Sequence, residues 1–194
     1  NWTQSYLPLC DIDIKFETKG CRAKAYKRIL DLSTALHTVS YEKNDARFTR
    51  EAFVSAPDNA FIQKYSVDKR NALNFKLSLS TKLKGATFCE NGVLILDGIC
   101  PSDEHDNTEL LNRCEFYPED KERQGISFRA AVKVICDGKV TCTDNFIKVD
   151  NATNAYIFFT TENSFNGFDK HPALEGKEFK NACLDMLNTA SAKD

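Results

Sequence analysis

Apolar and polar residues alternate along most of this chain. In residues 73–80, leucine or phenylalanine occupies every second position, and asparagine, lysine or serine lies between them. A period of two is typical of a β-strand that buries one face. The same alternation, or a short run of β-branched and aromatic residues, predicts further strands at 12–16, 26–32, 36–42, 48–55, 61–67, 86–89, 93–96, 126–136, 140–143, 146–149 and 155–161. About a dozen short strands at this spacing predict an all-β sandwich or barrel.

Turn residues separate several of these strands. The Asn-Gly pair at 91–92 predicts a hairpin, because both residues tolerate the positive φ of a tight turn. The Asp-Gly pair at 137–138 predicts a second hairpin, in which Cys136 would face Val140 across the two strands. A polar turn is expected at 151–154.

Two segments depart from the alternation. Residues 101–122 are polar and acidic and contain two prolines, which predicts a long loop or a mobile insertion. Towards the end of the sequence, apolar residues recur at helical spacing, which predicts an amphipathic helix. They are Phe179, Cys183, Met186, Leu187 and Ala190. This helix needs a partner for its apolar face. It also runs close to Asp194 without a glycine or proline to stop it, which favours a chain that continues.

The composition argues against two classes of function, nucleic-acid binding and membrane association. The 194 residues carry a net charge of -2, and lysine and arginine are scattered along the chain. We therefore expect no basic surface for nucleic acid. No apolar run approaches the ~20 residues that a membrane-spanning helix needs, so no membrane association is expected.

Eight cysteines are compatible either with four disulfides or with reduced side chains. They are Cys10, Cys21, Cys89, Cys100, Cys114, Cys136, Cys142 and Cys183. No CxxC pattern occurs, and Cys183 lies on the apolar face of the predicted helix. In the hairpin predicted at 137–138, Cys136 and Cys142 are not opposite each other. We therefore expect small buried hydrophobic side chains in a reducing compartment.

Candidate catalytic and metal-binding residues are few. Nucleophilic catalysis needs a serine or cysteine beside a positioned histidine, and His37, His105 and His171 lie in no recognisable motif. His37 falls in a predicted strand, and His171 precedes a proline in a turn that it helps to shape. The acidic residues around His105 match no known cation-binding spacing, and a solvated loop is the preferred interpretation. The sequence predicts no catalytic, cofactor-binding or metal-binding residue in this chain.

Aromatic residues leave a second class of function open. The 14 phenylalanines mostly alternate into the predicted core. Trp2, Tyr6, Phe116 and Tyr117 are eligible for the exposed platform of a carbohydrate-binding sandwich. A stand-alone carbohydrate-binding module is therefore the alternative function, and a purely structural interaction domain is a third.

Five segments carry motifs that occur in the same order in a known family. QSYLPLCDI at 4–12 resembles "QxYLPLGDL", and YKRILDLSTA at 26–35 resembles "YxRxLDLxTA". FTREAFVSAPD at 48–58 resembles "RExFxSxPD", and GISF at 125–128 follows in the expected order. TTENSFNGFDKHP at 160–172 resembles "TSFNGFDKxP". Over nearly its whole length the chain thus resembles the N-terminal domain of glycoside hydrolase family 95, with Cys10 where that family has glycine.

The resemblance implies a fold and a parent protein. The implied fold is a large antiparallel β-supersandwich at 1–174, followed at 175–194 by the start of a helical linker to an (α/α)6 catalytic barrel. In that family the barrel removes terminal α-L-fucose or α-L-galactose with inversion, using a glutamate acid and an asparagine base activated by aspartate. The barrel would follow Asp194, so no catalytic residue of the family is carried onto this chain.

We therefore expect a non-catalytic scaffold domain of an α-L-fucosidase-like glycosidase. The expected partner is the parent's own barrel, contacted through residues 164–177 and the following helix, and the expected substrate of the parent is a fucosylated or galactosylated glycan. Strands that precede Asn1 in full-length family members are absent, so exposed edge strands are expected to pair with a second copy. The expected location is the cytoplasm of a bacterium, with secretion as the alternative.

Overall fold

A computed structural model describes residues 7–17, 22–102 and 117–193. These residues form twelve β-strands and one α-helix. The strands are β1 (Asp11–Phe16), β2 (Lys24–Asp31), β3 (Leu36–Lys43), β4 (Ala46–Ser55), β5 (Ala60–Val67), β6 (Leu73–Ser80), β7 (Lys84–Glu90), β8 (Val93–Ile99), β9 (Ser127–Cys136), β10 (Lys139–Thr143), β11 (Phe146–Ala152) and β12 (Asn154–Asn163), and the helix is α1 (Lys180–Ser191). Each stretch predicted as a strand is a strand, which confirms the all-β class.

The strands form two antiparallel sheets that pack as a sandwich. The smaller sheet has the order β1-β6-β11-β10, and the larger has the order β2-β3-β4-β5-β12-β9-β8-β7. β10 of the smaller sheet lies against β7, β8 and β9. At the other edge, β1 reaches β5 through the rings of Phe16 and Tyr65, whose centroids are 5.4 Å apart. The larger sheet therefore extends past the smaller one on the side of β2.

The main core lies between the two sheets. Alternate residues of β6, among them Phe75 and Leu77, are fully buried there. They pack in one cluster with Phe128 and Val132 of β9. Each such side chain contributes about 1.5–3 kcal/mol when it leaves water, so the alternation seen in the sequence accounts for most of the driving force for folding.

A second core lies on the outer face of the larger sheet, beneath α1. The helix buries Cys183, Leu187 and Ala190 against Ile95 of β8 and Phe158 of β12. The apolar face that the sequence predicts for the helix is therefore covered by the chain's own sheet. Within the described ranges, no helix is both long and apolar enough to span a membrane.

The hairpin predicted at 91–92 is present between β7 and β8. Glu90 pairs with Val93, so the loop consists of two residues. Asn91 and Gly92 both have positive φ, at 50° and 78°. Two-residue loops of this kind match the right-handed twist of the flanking strands, which confirms the turn chemistry inferred from the sequence.

The hairpin predicted at 137–138 is wrong. β9 belongs to the larger sheet and β10 to the smaller one, so Cys136 does not face Val140. Val140 pairs instead with Val149 of β11. The polar turn expected at 151–154 is the return crossing, since β11 lies in the smaller sheet and β12 in the larger.

Local contacts explain why the chain changes sheets at this point. The carboxylate of Asp137 accepts the backbone N–H groups of Thr153 and Asn154 at 2.7 and 2.9 Å, which ties the outgoing and returning segments together. Gly138 has no side chain to obstruct the crossing. A Cβ atom there would lie 2.5 Å from the carbonyl oxygen of Asp150.

A disulfide joins the two sheets, which corrects the expectation that the cysteines are reduced. Cys89 on β7 is bonded to Cys142 on β10, with their Cα atoms 6.2 Å apart. Local spacing could not indicate this pair, because its members lie on edge strands of different sheets. Cys10, Cys100, Cys136 and Cys183 are free, and Cys21 and Cys114 lie outside the described residues. Burial, together with the nearby charge of Asp11, raises the pKa of the Cys10 thiol to about 11, so this side chain stays neutral.

The long loop expected at 101–122 is described only at its ends. Residues 103–116, which include His105 and Phe116, lie outside the described residues, as do Trp2 and Tyr6. Near the second end, the chain forms a short 3-10 turn at Lys121–Arg123.

Candidate interdomain surface

Three large apolar side chains are exposed on one loop between β12 and α1. Phe168 is 99% exposed, and Phe165 and Leu174 are about half exposed. We call residues 164–177 the Phe168 loop. The sequence predicted that this segment and the following helix contact another domain. The apolar face of the helix is covered instead by the chain's own sheet.

Both ends of the Phe168 loop are tied to the larger sheet at Ser164. The N–H of Ser164 donates to the carbonyl of Ser127 at 2.8 Å, and the N–H of Ser127 donates to the Ser164 hydroxyl at 3.0 Å. The N–H of Lys177 donates to the Ser164 carbonyl at 3.2 Å. The loop therefore leaves and returns at the same point, at the end of β12 beside the start of β9.

The interior of the Phe168 loop is held by its own hydrogen bonds. The side-chain amide of Asn166 donates to the carbonyl of Glu175 at 2.8 Å, and the N–H of Glu175 donates to the carbonyl of His171 at 2.8 Å. Gly167 has a φ of 115°, which a residue with a side chain rarely adopts. A Cβ at Gly176 would lie 2.3 Å from the carbonyl of Pro172, so this position also requires glycine.

Three charged groups of the loop, Lys170, Glu175 and Lys177, pair within the chain. The carboxylate of Glu175 accepts the N–H of His171 at 3.3 Å and lies 3.4 Å from the ammonium of Lys170. The ammonium of Lys177 lies 3.0 Å from Glu162 on β12. With these charges paired nearby, the three exposed apolar side chains remain as the principal contact groups of the loop.

The structure accounts for His37 and His171 in different ways. The Nδ1 atom of His171 accepts the N–H of Ala173 at 3.3 Å, so this histidine shapes the turn, as the sequence predicts. His37 is half-buried on β3 and pairs with Ala52 of β4 across the sheet.

Side chains that could bind a metal ion or act in catalysis are dispersed over the part of the chain that the structure describes. In those ranges, no group of three or more histidine, cysteine, aspartate or glutamate residues could hold a metal ion. Among the ion pairs of the described residues, the most buried cation is Arg129, which binds the carboxylate of Asp97. Burial raises the pKa of Asp97, but hydrogen bonds from Arg129 and Lys180 outweigh it and hold the pKa below its ordinary value. This cluster fastens the start of α1 to the sheet, since the Lys180 ammonium lies 3.0 Å from Asp97.

An open cleft of about 720 Å³ lies at the opposite end of the sandwich from the Phe168 loop. Its lining combines aromatic rings, Phe16 and Phe48, with polar groups that include Glu17 and Lys69. Beside it, the guanidinium of Arg50 packs 4.8 Å from the Phe16 ring. The Arg50 Nε atom is buried and has no hydrogen-bond partner among the described residues.

Tyr117 is the described member of the four aromatic residues proposed for a sugar platform. Its hydroxyl accepts the N–H of Lys84 at 3.1 Å, and its ring lies 5.9 Å from the Lys84 ammonium. The side chain is half-buried. Tyr117 therefore packs on the start of β7.

Comparison with known proteins identifies the fold. A family model described as "Glycosyl hydrolase family 65, N-terminal domain" matches residues 1–167. The chain belongs to this family. The matched region ends at Gly167, within the Phe168 loop.

Two similar proteins place this family 65 N-terminal domain in context. The chain is 27% identical over 187 residues to "Alpha-L-fucosidase 2" of Arabidopsis thaliana, which covers 92% of the chain and 22% of that protein. A solved structure, "Putative kojibiose phosphorylase from human microbiome", is similar with a TM-score of 0.53 and 13% sequence identity. The match covers 93% of this chain and 22% of the chain in that structure. The second likeness shows the fold alone. The chain thus spans about a fifth of the length of both, and the domain is an N-terminal domain of glycoside hydrolase type.

Proposed function

We propose that this domain is the non-catalytic N-terminal scaffold of a larger inverting glycosidase of the α-L-fucosidase type, of the kind found in family 95. In this proposal the catalytic residues reside in a helical barrel outside the chain, and the substrate is a glycan with terminal α-L-fucose or α-L-galactose. The sequence motifs and the identity to an α-L-fucosidase support this assignment over a phosphorylase.

The observation that carries the scaffold role is the Phe168 loop. A phenylalanine exposed over 99% of its surface gains about 1.5–3 kcal/mol if a partner buries it. The loop is fixed by its own hydrogen bonds, so the docked partner does not have to order it. Exposed apolar side chains on an ordered loop are typical of an interaction surface.

The anchorage of the loop explains how a scaffold could affect catalysis at a distance. Ser164 ties the loop to Ser127, so the Phe168 loop is fixed to β9 and β12 in the middle of the larger sheet. A barrel docked on this loop is held against a rigid body rather than a mobile tail. Misplacement of catalytic groups by about 1 Å can cost roughly a hundredfold in rate, so such support is valuable.

The disulfide bears on where the domain works. Disulfides persist in oxidising compartments and are rare in the cytosol. The Cys89–Cys142 bond therefore supports secretion, the second of the two locations expected from the sequence, and we propose that location.

Replacing Phe168 tests the proposal. We expect Phe168→Ser in the full-length protein to lower kcat/KM for p-nitrophenyl α-L-fucoside between about ten- and a hundredfold, because the barrel loses its apolar anchor. Since Phe168 contacts solvent in this domain, the same change should leave the unfolding midpoint of the 194-residue chain unaltered.

Phe53→Ser is the matched control, because Phe53 is a partly exposed phenylalanine on β4, away from the Phe168 loop. It should leave kcat/KM unchanged. Equal kcat/KM for Phe168→Ser and wild type would refute the docking role. Turnover of the fucoside by the 194-residue chain alone would refute the non-catalytic assignment.

Saccharide binding is a second candidate function, favoured by the cleft beside Phe16. Apolar rings flanked by a few polar groups suit a ligand with both C–H faces and hydroxyls. If the cleft binds sugar, titration of the 194-residue chain with fucosylated oligosaccharide should show saturable heat, and Lys69→Ala should weaken binding by about tenfold through a lost hydrogen bond. No heat at high oligosaccharide concentration would exclude this function.

A further inference from the structure

β2 is an edge strand of unusual exposure. It is the last strand of the larger sheet, and among the described strands it pairs with β3 alone. All eight of its residues are exposed. The opposite edge strand of the same sheet, β7, is bonded to the smaller sheet through Cys89.

Large apolar side chains line this exposed strand and the residue that follows it. Tyr26 and Leu30 are each 61% exposed, Leu32 is 85% exposed, and Ile29 is also exposed. Soluble proteins commonly protect edge strands with charge, proline, a bulge or a covering element, since the open backbone groups otherwise pair with another strand. β2 carries four charged residues, and its register with β3 shifts between Lys24 and Lys27, so a bulge lies at its start. From Lys27 to Asp31 the strand is regular, and its exposed apolar side chains leave an edge open to strand pairing.

We propose that two copies of this chain pair β2 with β2 in antiparallel orientation, about a two-fold axis at Ile29. This register places Ile29 opposite Ile29 and Tyr26 opposite Leu32. It places Lys27 opposite Asp31, and this ion pair occurs twice across the two-fold axis. The two larger sheets would join into one continuous sheet, independently of the function proposed above.

Neighbouring registers are less favourable because they oppose like charges or leave a cation without an acidic partner. A two-fold axis at Arg28 would place two guanidinium groups directly opposite each other, which destabilises a strand pair. An axis at Leu30 would place Ile29 against Asp31 and leave Lys27 without an acidic partner.

The β2 edge is self-complementary, and for this reason we assign a second copy of the chain as its partner. A two-fold interface requires the same patch to match itself, with residue i facing j and j facing i. Here Ile29 meets itself and Lys27 meets Asp31, while Tyr26 lies opposite Leu32 and Arg28 opposite Leu30. The Asp31 carboxylate is also held in place, since it accepts the N–H and hydroxyl of Ser33 at 2.9 and 2.7 Å.

Charge exchange tests the pairing and its register. We expect the 194-residue chain to form a dimer by light scattering, and we expect Lys27→Asp and Asp31→Lys each to raise the dimer dissociation constant at least tenfold. The double variant, Lys27→Asp with Asp31→Lys, should recover the wild-type dissociation constant. Failure of the double variant to recover, while each single variant still folds by circular dichroism, would overturn this register.

Cross-linking gives a second measurement that does not depend on charge. Directly opposed residues of antiparallel strands have Cα atoms about 4.5–5.5 Å apart, which is within disulfide range. Ile29→Cys should therefore form an intermolecular disulfide on mild oxidation. Val54→Cys, at an exposed position on β4, is the matched control and should not. A wild-type chain that stays monomeric at its highest attainable concentration, or equal cross-linking of the two variants, would refute the dimer.

Discussion

Replacing Cys89 and Cys142 together by serine should lower the free energy of unfolding by about 4 kcal/mol. The disulfide closes a loop between residues 53 positions apart. Without it the unfolded chain gains the entropy of that open loop, while the folded state loses the covalent link between its two sheets. For a domain of this size the loss corresponds to a fall of roughly 8–16 °C in the unfolding midpoint.

Reductant provides the matched control for this result. Dithiothreitol should lower the unfolding midpoint of the wild-type chain to that of the double serine variant, and it should leave the variant unchanged. Peptide mapping of the unreduced protein should recover Cys89 and Cys142 in one linked fragment. If reductant leaves the wild-type midpoint where it was, the two thiols are not bonded in solution.

Replacing Asp97 by alanine should cost about 3–5 kcal/mol of stability. The guanidinium of Arg129 binds both carboxylate oxygens of Asp97, at 2.7 and 2.8 Å, and Arg129 is only 7% exposed. Without Asp97 this charge stays buried without its partner. The change also removes the carboxylate that holds Lys180 at the start of α1.

The sign of the pH dependence follows from the lowered pKa of Asp97. In the unfolded chain the carboxyl titrates near its ordinary value of about 3.9, whereas hydrogen bonds in the fold keep it ionised to lower pH. Its contribution is therefore complete above the unfolded pKa and is lost as the pH falls through the folded pKa. Acid unfolding curves of wild type and Asp97→Asn should converge as the pH decreases below about 4.

Two further variants test whether burial is the reason that the loss of Asp97 is costly to stability. Glu51→Ala removes a partner of Lys64 in an exposed pair whose charged atoms are 4.0 Å apart, and it should change stability by less than about 1 kcal/mol. Adding Arg129→Met to Asp97→Ala should restore most of the lost stability, because no charge then remains buried. Chemical denaturation provides both values. Equal losses for Asp97→Ala and Glu51→Ala would show that burial contributes nothing here.

Local patterns predicted the elements of this fold because their causes are local. The alternation at 73–80 reports directly which side chains of β6 are buried, and the Asn-Gly pair at 91–92 permits the positive φ values of a two-residue hairpin. The helix at the end of the sequence followed from apolar spacing, and Cys183 and Leu187 are buried as that spacing requires.

The same local patterns could not predict which distant segments pair with each other. The Asp-Gly pair at 137–138 looks like a hairpin turn, yet hydrogen bonds from Thr153 and Asn154 to Asp137 make it a crossing between sheets. The partner of Cys89 depends on that crossing, because it brings β10 against β7. For the candidate site, the sequence predicted that segment 164–177 contacts another domain, and this stays a prediction. It could not show that Phe168 points into solvent, because an apolar residue in a motif is equally compatible with burial.

The crossing at Asp137 also has a consequence for how this architecture tolerates change. β9 and β12 are neighbours in the larger sheet, with Cys136 paired to Ala155, and together they form a long hairpin. The shorter hairpin of β10 and β11 is nested between them in the sequence. Insertions or deletions at the outer tip, where Asp144 and Asn145 link β10 to β11, leave the order of strands in the larger sheet untouched. The Asp144 carboxylate accepts the N–H of Cys89 on β7 at 3.0 Å, so a tag or label grafted at this tip should keep Asp144 in place.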